Sequence, residues 1–395
     1  MTTTAPRRTP LFRHAGRAIL STVRGPDSRA RGGWGTGQVV VVVVVAALNL
    51  IGLAMVLSAS SVTSLYQGTD TWFHFTRQSI WIGLGTVALL VMRSIDYHLW
   101  RKLVPLALGL TFVSLIAVLV PGIGVAANGS TRWIAVGPVT VQPTELLKLT
   151  MVLYTADLLA QRQRELRDPV RTIVPVLLVF GASALLVMMQ PDLGSVIVAG
   201  GVTIAVLFAG GVALGPLAAC TFGGAGIALV LSMTEAYRRE RLLAFLDPWD
   251  DPLNTGYQTI QSMVGIANGG LTGVGVGQGR AKWGFLPESH TDFIYAVVAE
   301  EMGFLGAFLV LAMFVVLAVV GVRIAQHAPD RFGMLTAMGI AVWLTLQAVV
   351  NIGAVVGVLP ITGVTLPFVS FGGTSLLVGM AAIGVLLNIG RQGSA

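Results

Sequence analysis

The chain has a single cysteine, Cys220, and it lies in an apolar run. That excludes a disulfide framework and a thiolate metal site, and leaves Cys220 as a packing residue. The five histidines are scattered and never fall at the spacing of zinc ligands. Charge is the largest deficit: Asp, Glu, Lys and Arg make up 11% of 395 residues, 54% are hydrophobic, and the mean hydropathy is +0.80. No water-soluble domain is composed this way, and about ten apolar segments are long enough to cross a bilayer. The few charges sum to +7, with a pI near 10.1. They sit between apolar segments instead of on one polar face. This speaks against nucleic acid and for an anionic membrane surface or a phosphate-bearing substrate.

Residues 1–37 carry Arg7, Arg8, Arg13, Arg17, Arg24, Arg29 and Arg31 among Pro and Gly, and read as a disordered basic arm on the cytoplasmic side. The charged stretch before Val39–Val45 is too long for a cleaved signal peptide. Residues 38–392 read as one membrane domain: an all-α polytopic protein with spans near 38–60, 74–93, 101–121, 143–161, 170–189, 193–210, 213–233, 293–322, 332–357 and 369–389. With the tail inside, the loops around Arg93/Arg101/Lys102, Arg162/Arg164/Arg167/Arg171 and Arg323/His327/Arg331 are cytoplasmic and basic, as is the C-terminal Arg391. Both termini are thus expected in the cytoplasm.

The other face receives a long structured loop, 234–291, between the seventh and eighth spans. Arg238 to Leu246 reads as an amphipathic helix at the interface, and Tyr257 to Ala267 as a second short helix. Gly275-Val276-Gly277-Gln278-Gly279 has no strand–loop–helix context and no Gly-Lys-Ser/Thr, so it is not a nucleotide loop. It either lets backbone approach a bulky ligand or turns tightly. The outer cations Arg132, Arg280 and Lys282 face something anionic, either lipid headgroups or a substrate.

Leu286 to Gly303 packs Glu288, His290, Asp292, Glu300 and Glu301 into this charge-poor chain, at the mouth of a membrane helix. Acids there are costly and functional by default, although Asp292 can also act as a simple cap. Glu145 and Lys148 stand three apart on one helix face, either a structural pair or a positive field shared with a phosphate. Asp192 opens the sixth span, where capping is the favoured role. Asn351, Gln347 and the breaks at Pro360 and Pro367 mark interrupted helix ends, which at membrane depth line cavities. One carboxylate facing cations suits glycosyl transfer from a lipid diphosphate, whose leaving group needs positive charge and no protonating acid.

These features carry a resemblance. Arg132-Trp133-Ile134, Gln142-Pro143-Thr144-Glu145 with Lys148, Gln190-Pro191-Asp192-Leu193-Gly194, Phe245-Leu246-Asp247-Pro248, Leu286-Pro287-Glu288 through His290-Thr291-Asp292-Phe293-Ile294, and Leu366-Pro367-Phe368-Val369-Ser370-Phe371-Gly372-Gly373-Thr374-Ser375 resemble the SEDS family of membrane peptidoglycan glycosyltransferases. The resemblance implies a ten-span enzyme that polymerises lipid II on the outer face, with Asp292 as the essential aspartate. It implies substrate contacts at Arg132, Trp133, Glu145, Lys148, Arg280, Lys282 and His290, and supporting roles for Asp192, Glu288, Glu300, Glu301 and Ser370. A class B penicillin-binding protein and other division proteins are the implied partners. The implied cofactor is a loosely held divalent cation, Mg or Mn, with no dedicated metal cage. Asp247–Pro252, Lys282-Trp283-Gly284 and Gln347–Gly353 look more like the division branch, FtsW. Glu288–Asp292 and Pro367–Ser370 look closer to the elongation branch, RodA. The division branch is favoured. The rival readings are a lipid II flippase, which would place its key polar groups near mid-membrane, and a scaffold acting through the arginine-rich tail.

Overall fold

A computed structural model describes residues 35–393 apart from 67, 69, 128, 129 and 138. The expected basic tail lies outside the described residues up to residue 34, and residues 36–37 belong to the first helix. In chain order the elements are α1 (Thr36–Tyr66), α2 (Phe73–Ser94), α3 (Tyr97–Leu119), β1 (Gly124–Ala127), β2 (Ser130–Val136), β3 (Val139–Val141), α4 (Pro143–Gln161), α5 (Pro169–Met188) and α6 (Leu193–Ala209). They continue with α7 (Leu214–Thr234), α8 (Ala236–Leu246), α9 (Tyr257–Gly269), α10 (Ile294–Gln326), α11 (Arg331–Val355) and α12 (Gly373–Gln392).

Among the described residues, eight helices are long and apolar enough to cross a membrane: α1, α2, α3, α5, α7, α10, α11 and α12. The other two expected spans are helices at the expected positions but fall short. Helix α4 carries Glu145, Lys148 and Asp157, and α6 has only 17 residues. Both are packed inside the bundle, α4 against α3, α6 and α11, and α6 against α11. Protein neighbours replace lipid around them, so neither needs a full apolar belt. Helix α12 is the most enclosed span, with 83% of its most apolar stretch buried, whereas α7 has 6%.

Local chemistry sets the helix boundaries. Asp96, Asp168, Asp192 and Asp330 each accept a backbone N–H bond at the start of α3, α5, α6 and α11. Pro143 and Pro169 occupy first turns, where a missing N–H is harmless. The expected helices of the long loop are present as α8 and α9.

Two features depart from the expected all-helical chain. The connection from α3 to α4 folds into a three-stranded antiparallel sheet, ordered β1-β2-β3, with Trp133 opposite Val125 and Ile134 opposite Val141. β1 and β3 are too short to show a period-2 pattern, and the seven residues of β2 do not alternate apolar with polar. Helix α10 is also broken at Gly303, which has φ 69° and ψ −170°. A Cβ there would stand 2.2 Å from the Gly273 nitrogen and 2.5 Å from the Leu271 carbonyl oxygen. The glycine-rich segment runs against the break: Val274 N and Gly275 N donate to the carbonyls of Glu300 and Glu301, and Phe304 N donates to that of Gly270.

Candidate active site

The start of α10, the β2 strand, the α5–α6 turn and the segment after α11 meet at one end of the bundle. Asp292 is delivered there by a turn in which Thr291 N and Phe293 N both donate to the Glu288 carbonyl. Glu288 adopts φ 55°, and its Oε2 accepts a 2.6 Å bond from Thr291 Oγ1. The helix cap is Phe293, so Asp292 does not cap α10. Its carboxylate takes no hydrogen bond from a described residue. Burial pushes its pKa up to about 6, Glu288 and Asp192 push the same way, and Arg241 and Arg132 oppose them.

Arg132 is held by backbone carbonyls of the α5–α6 turn. Its Nε donates to the Gln190 carbonyl at 3.2 Å and its Nη2 to the Pro191 carbonyl. Its Nη1 lies 3.8 Å from Asp192 Oδ1. Asp192 fills its capping role, accepting from Ser195 N at 3.2 Å and Ser195 Oγ at 2.7 Å. Opposite stands Gly363, with φ 70°. A Cβ on it would lie 3.5 Å from Asp292 Oδ2 and 4.0 Å from Arg132 Nη1. The acid and the cation therefore converge on a space kept open by a residue without a side chain. Arg241, on α8, was legible in the sequence only as one of three neighbouring arginines. Nothing in the helical pattern marks Arg241 as the one whose charge acts on Asp292.

Residues 38–395 match the family profile FTSW_RODA_SPOVE, described as "Cell cycle protein". The chain belongs to the FtsW/RodA/SpoVE family. Stage V sporulation protein E of Bacillus subtilis is 40% identical over 354 residues, covering 90% of this chain and 97% of that protein. A Geobacter metallireducens protein named "Probable peptidoglycan glycosyltransferase FtsW" is 42% identical over 356 residues, covering 90% and 95%. Among solved structures, a chain from one described as "Structural coordination of polymerization and crosslinking by a peptidoglycan synthase complex" superposes with a TM-score of 0.74 at 30% identity, covering 91% of this chain and 98% of that one. The rod shape determining protein RodA of Thermus thermophilus gives 0.68 at 26% identity, covering 94% and 100%.

This FtsW/RodA/SpoVE chain does not bring every expected contact residue to the groove. Lys148 is 1% exposed and donates to Glu145 Oε1 at 2.8 Å and Gln347 Oε1 at 2.7 Å, with its ammonium 5.5 Å from the Trp343 ring centre. The pair is thus enclosed in the core between α4 and α11, where mutual pairing makes the buried charges tolerable. Lys282 is buried and donates to the Gly277 carbonyl within its own loop, and Arg280 is exposed. Neither is among the charges that act on Asp292. Trp133 is half-buried on β2, pointing away from the Arg132 side of the strand. His290 packs at a tilt against His74 and Phe371, with ring centres 4.8 and 5.9 Å away, and burial lowers its pKa against the pull of Glu288.

Glu300 and Glu301 form a second centre. Each is 1% exposed. Glu300 accepts from the backbone of Arg280 and Ala281, and Glu301 from Gly277, Gly279 and, at 2.5 Å, Ser58 Oγ of α1. The glycines let loop backbone close around two buried carboxylates, so these acids staple the loop to α10 and α1. Ser370 Oγ accepts from Leu366 N at 2.8 Å and closes the turn before α12.

Proposed function

We propose that this protein is a peptidoglycan glycosyltransferase that polymerises lipid II on the outer face of the cytoplasmic membrane, in the division branch of its family. Asp292 acts as general base: it takes the proton from an acceptor sugar hydroxyl, whose oxygen attacks the anomeric carbon of the donor. The bond from that carbon to the diphosphate breaks on the opposite face, with inversion, and the electron pair leaves with the diphosphate. Arg132 and Arg241 neutralise that leaving group, which needs no protonating acid. The observation that carries this reading is the convergence of Asp292 and Arg132 on the open space at Gly363. A carboxylate poised near neutrality suits a base working at physiological pH.

A hard divalent ion such as Mg or Mn would be held mainly by the oxygens of the diphosphate. Among the described residues no three His, Cys, Asp or Glu side chains cluster as a cage. When bound, such an ion supplies charge neutralisation. The partner is a class B penicillin-binding protein, a reading supported by the likeness to a chain of a polymerisation and crosslinking complex. The end opposite Asp292 carries Arg93, Arg101, Arg162, Arg171, Arg323 and Arg331, which supports cytoplasmic termini.

The test is polymerisation of purified lipid II by the reconstituted protein with its partner present. Asp292→Asn is expected to insert normally and make no polymer. Glycan chains from that variant overturn the assignment, and lipid II transport without polymer favours a flippase.

A further inference from the structure

Asn351 lies one helical turn beyond Gln347 on α11, and only 2% of it is exposed. Its Nδ2 donates to two carbonyls, those of Asp292 and Val364, each at 2.7 Å. One belongs to the turn that carries the acid, and the other to the segment that carries Gly363. Gln347 Nε2 holds the adjacent Thr365 carbonyl at 3.0 Å, and its Oε1 is itself fixed by Lys148 and Trp343. The Oδ1 of Asn351 is buried and takes no bond from a described residue. The amide thus commits both of its donor hydrogens to these two carbonyls while its own oxygen stays unpaired.

We propose that Asn351 is a positioning residue whose amide clamps the Asp292 backbone to the Gly363–Val364 wall and so sets the width of the gap where acid and Arg132 meet substrate. Asn351 touches no reacting atom; it acts through the two carbonyls it bridges. A gap fixed from buried core, not from the mobile end of a side chain, keeps the carboxylate in the orientation that proton transfer requires. The kinetic part of this inference rests on the glycosyl-transfer reading; the geometric part does not.

The experiment uses the reconstituted full-length protein and two readouts. The first is the pH midpoint of carbodiimide labelling at Asp292, followed by peptide mass spectrometry, since only the protonated carboxyl reacts. The second is kcat and KM for polymerisation of lipid II. For Asn351→Ala the labelling midpoint is expected to fall by about half a pH unit or more, because a released turn lets water reach Asp292. Its kcat is expected to fall by about tenfold or more, with KM changed by less than about twofold. Asn351→Leu, close in size, uncharged and without the amide, carries the same expectation if the alanine variant does not insert. Asn388→Ala is the control: it is a buried asparagine at the opposite end, donating to the Arg93 carbonyl at 2.6 Å. It should lower the melting temperature and leave both readouts unchanged. An Asn351 variant with the parent's midpoint and kcat, or an Asn388→Ala that moves both equally, overturns the proposal. If the parent makes no polymer, the reaction reading fails by itself, and the labelling midpoint still decides the role of Asn351.

Discussion

Asp292 Oδ2 lies 3.5 Å from the point where a side chain on Gly363 would begin, and Arg132 Nη1 is 4.0 Å from the same point. Those are ordinary contact distances, so a methyl group fits and occupies the space between acid and cation. Gly363→Ala is expected to lose activity by about a hundredfold. Its stability should fall by only about 1–2 kcal/mol, the strain of a non-glycine residue at φ 70°. Polymerisation and thermal unfolding of one preparation separate the two effects.

The elevated pKa of Asp292, about 6, makes the rate depend on pH in a defined direction. The base is active when ionised, so kcat/KM should rise through about pH 6 and level off above it. Arg132→Ala removes a cation that favours the ionised form, and the limb should move to higher pH. Glu288→Gln removes a repelling charge, and the limb should move lower. A limb at the same pH in both variants counts against Asp292 as the titrating group.

Stability runs the other way. A carboxyl whose folded pKa lies above its ordinary 3.8 stabilises the fold below that value, and the contribution is lost as pH rises through about 6. Asp292→Asn should therefore melt higher than the parent at pH 8 and equally at pH 3.5. The gain is at most roughly 3 kcal/mol.

Lys148 and Glu145 are buried together, so removing one leaves the other uncompensated. Lys148→Met or Glu145→Gln alone should destabilise by roughly 3–5 kcal/mol, and the double variant by less than either. Unfolding of the three variants makes a double-mutant cycle whose additivity would refute the coupling.

At Gly303 a side chain has no room, since backbone of the glycine loop lies 2.2 Å from its Cβ position. Gly303→Ala should cost about 3 kcal/mol or more and release the loop, seen as faster proteolysis within residues 270–285.

Much of the fold follows from hydropathy read along the chain. The helices α1 to α7 and α10 to α12 begin and end within a few residues of the apolar runs that announce them, because lipid forces every backbone group to bond within its own segment. The acid at the mouth of α10 was legible for a related reason: ionisable groups are rare enough there to stand out. The strands β1–β3 and the break at Gly303 were not legible, since both depend on which distant backbone lies alongside.

The sequence by itself determined a multi-span helical protein, its helix ends to within a few residues, and Asp292 facing the outer cations Arg132, Arg280 and Lys282. Only the tertiary structure decided that Lys148 pairs inward and that Arg241 replaces Arg280 and Lys282 at the acid. It also decided that Glu300 and Glu301 bind their own loop, and that Asn351 ties Asp292 to Gly363. The physical reason is that hydropathy is a property of each residue, whereas the partner of a buried charge is set by packing between segments far apart in the chain.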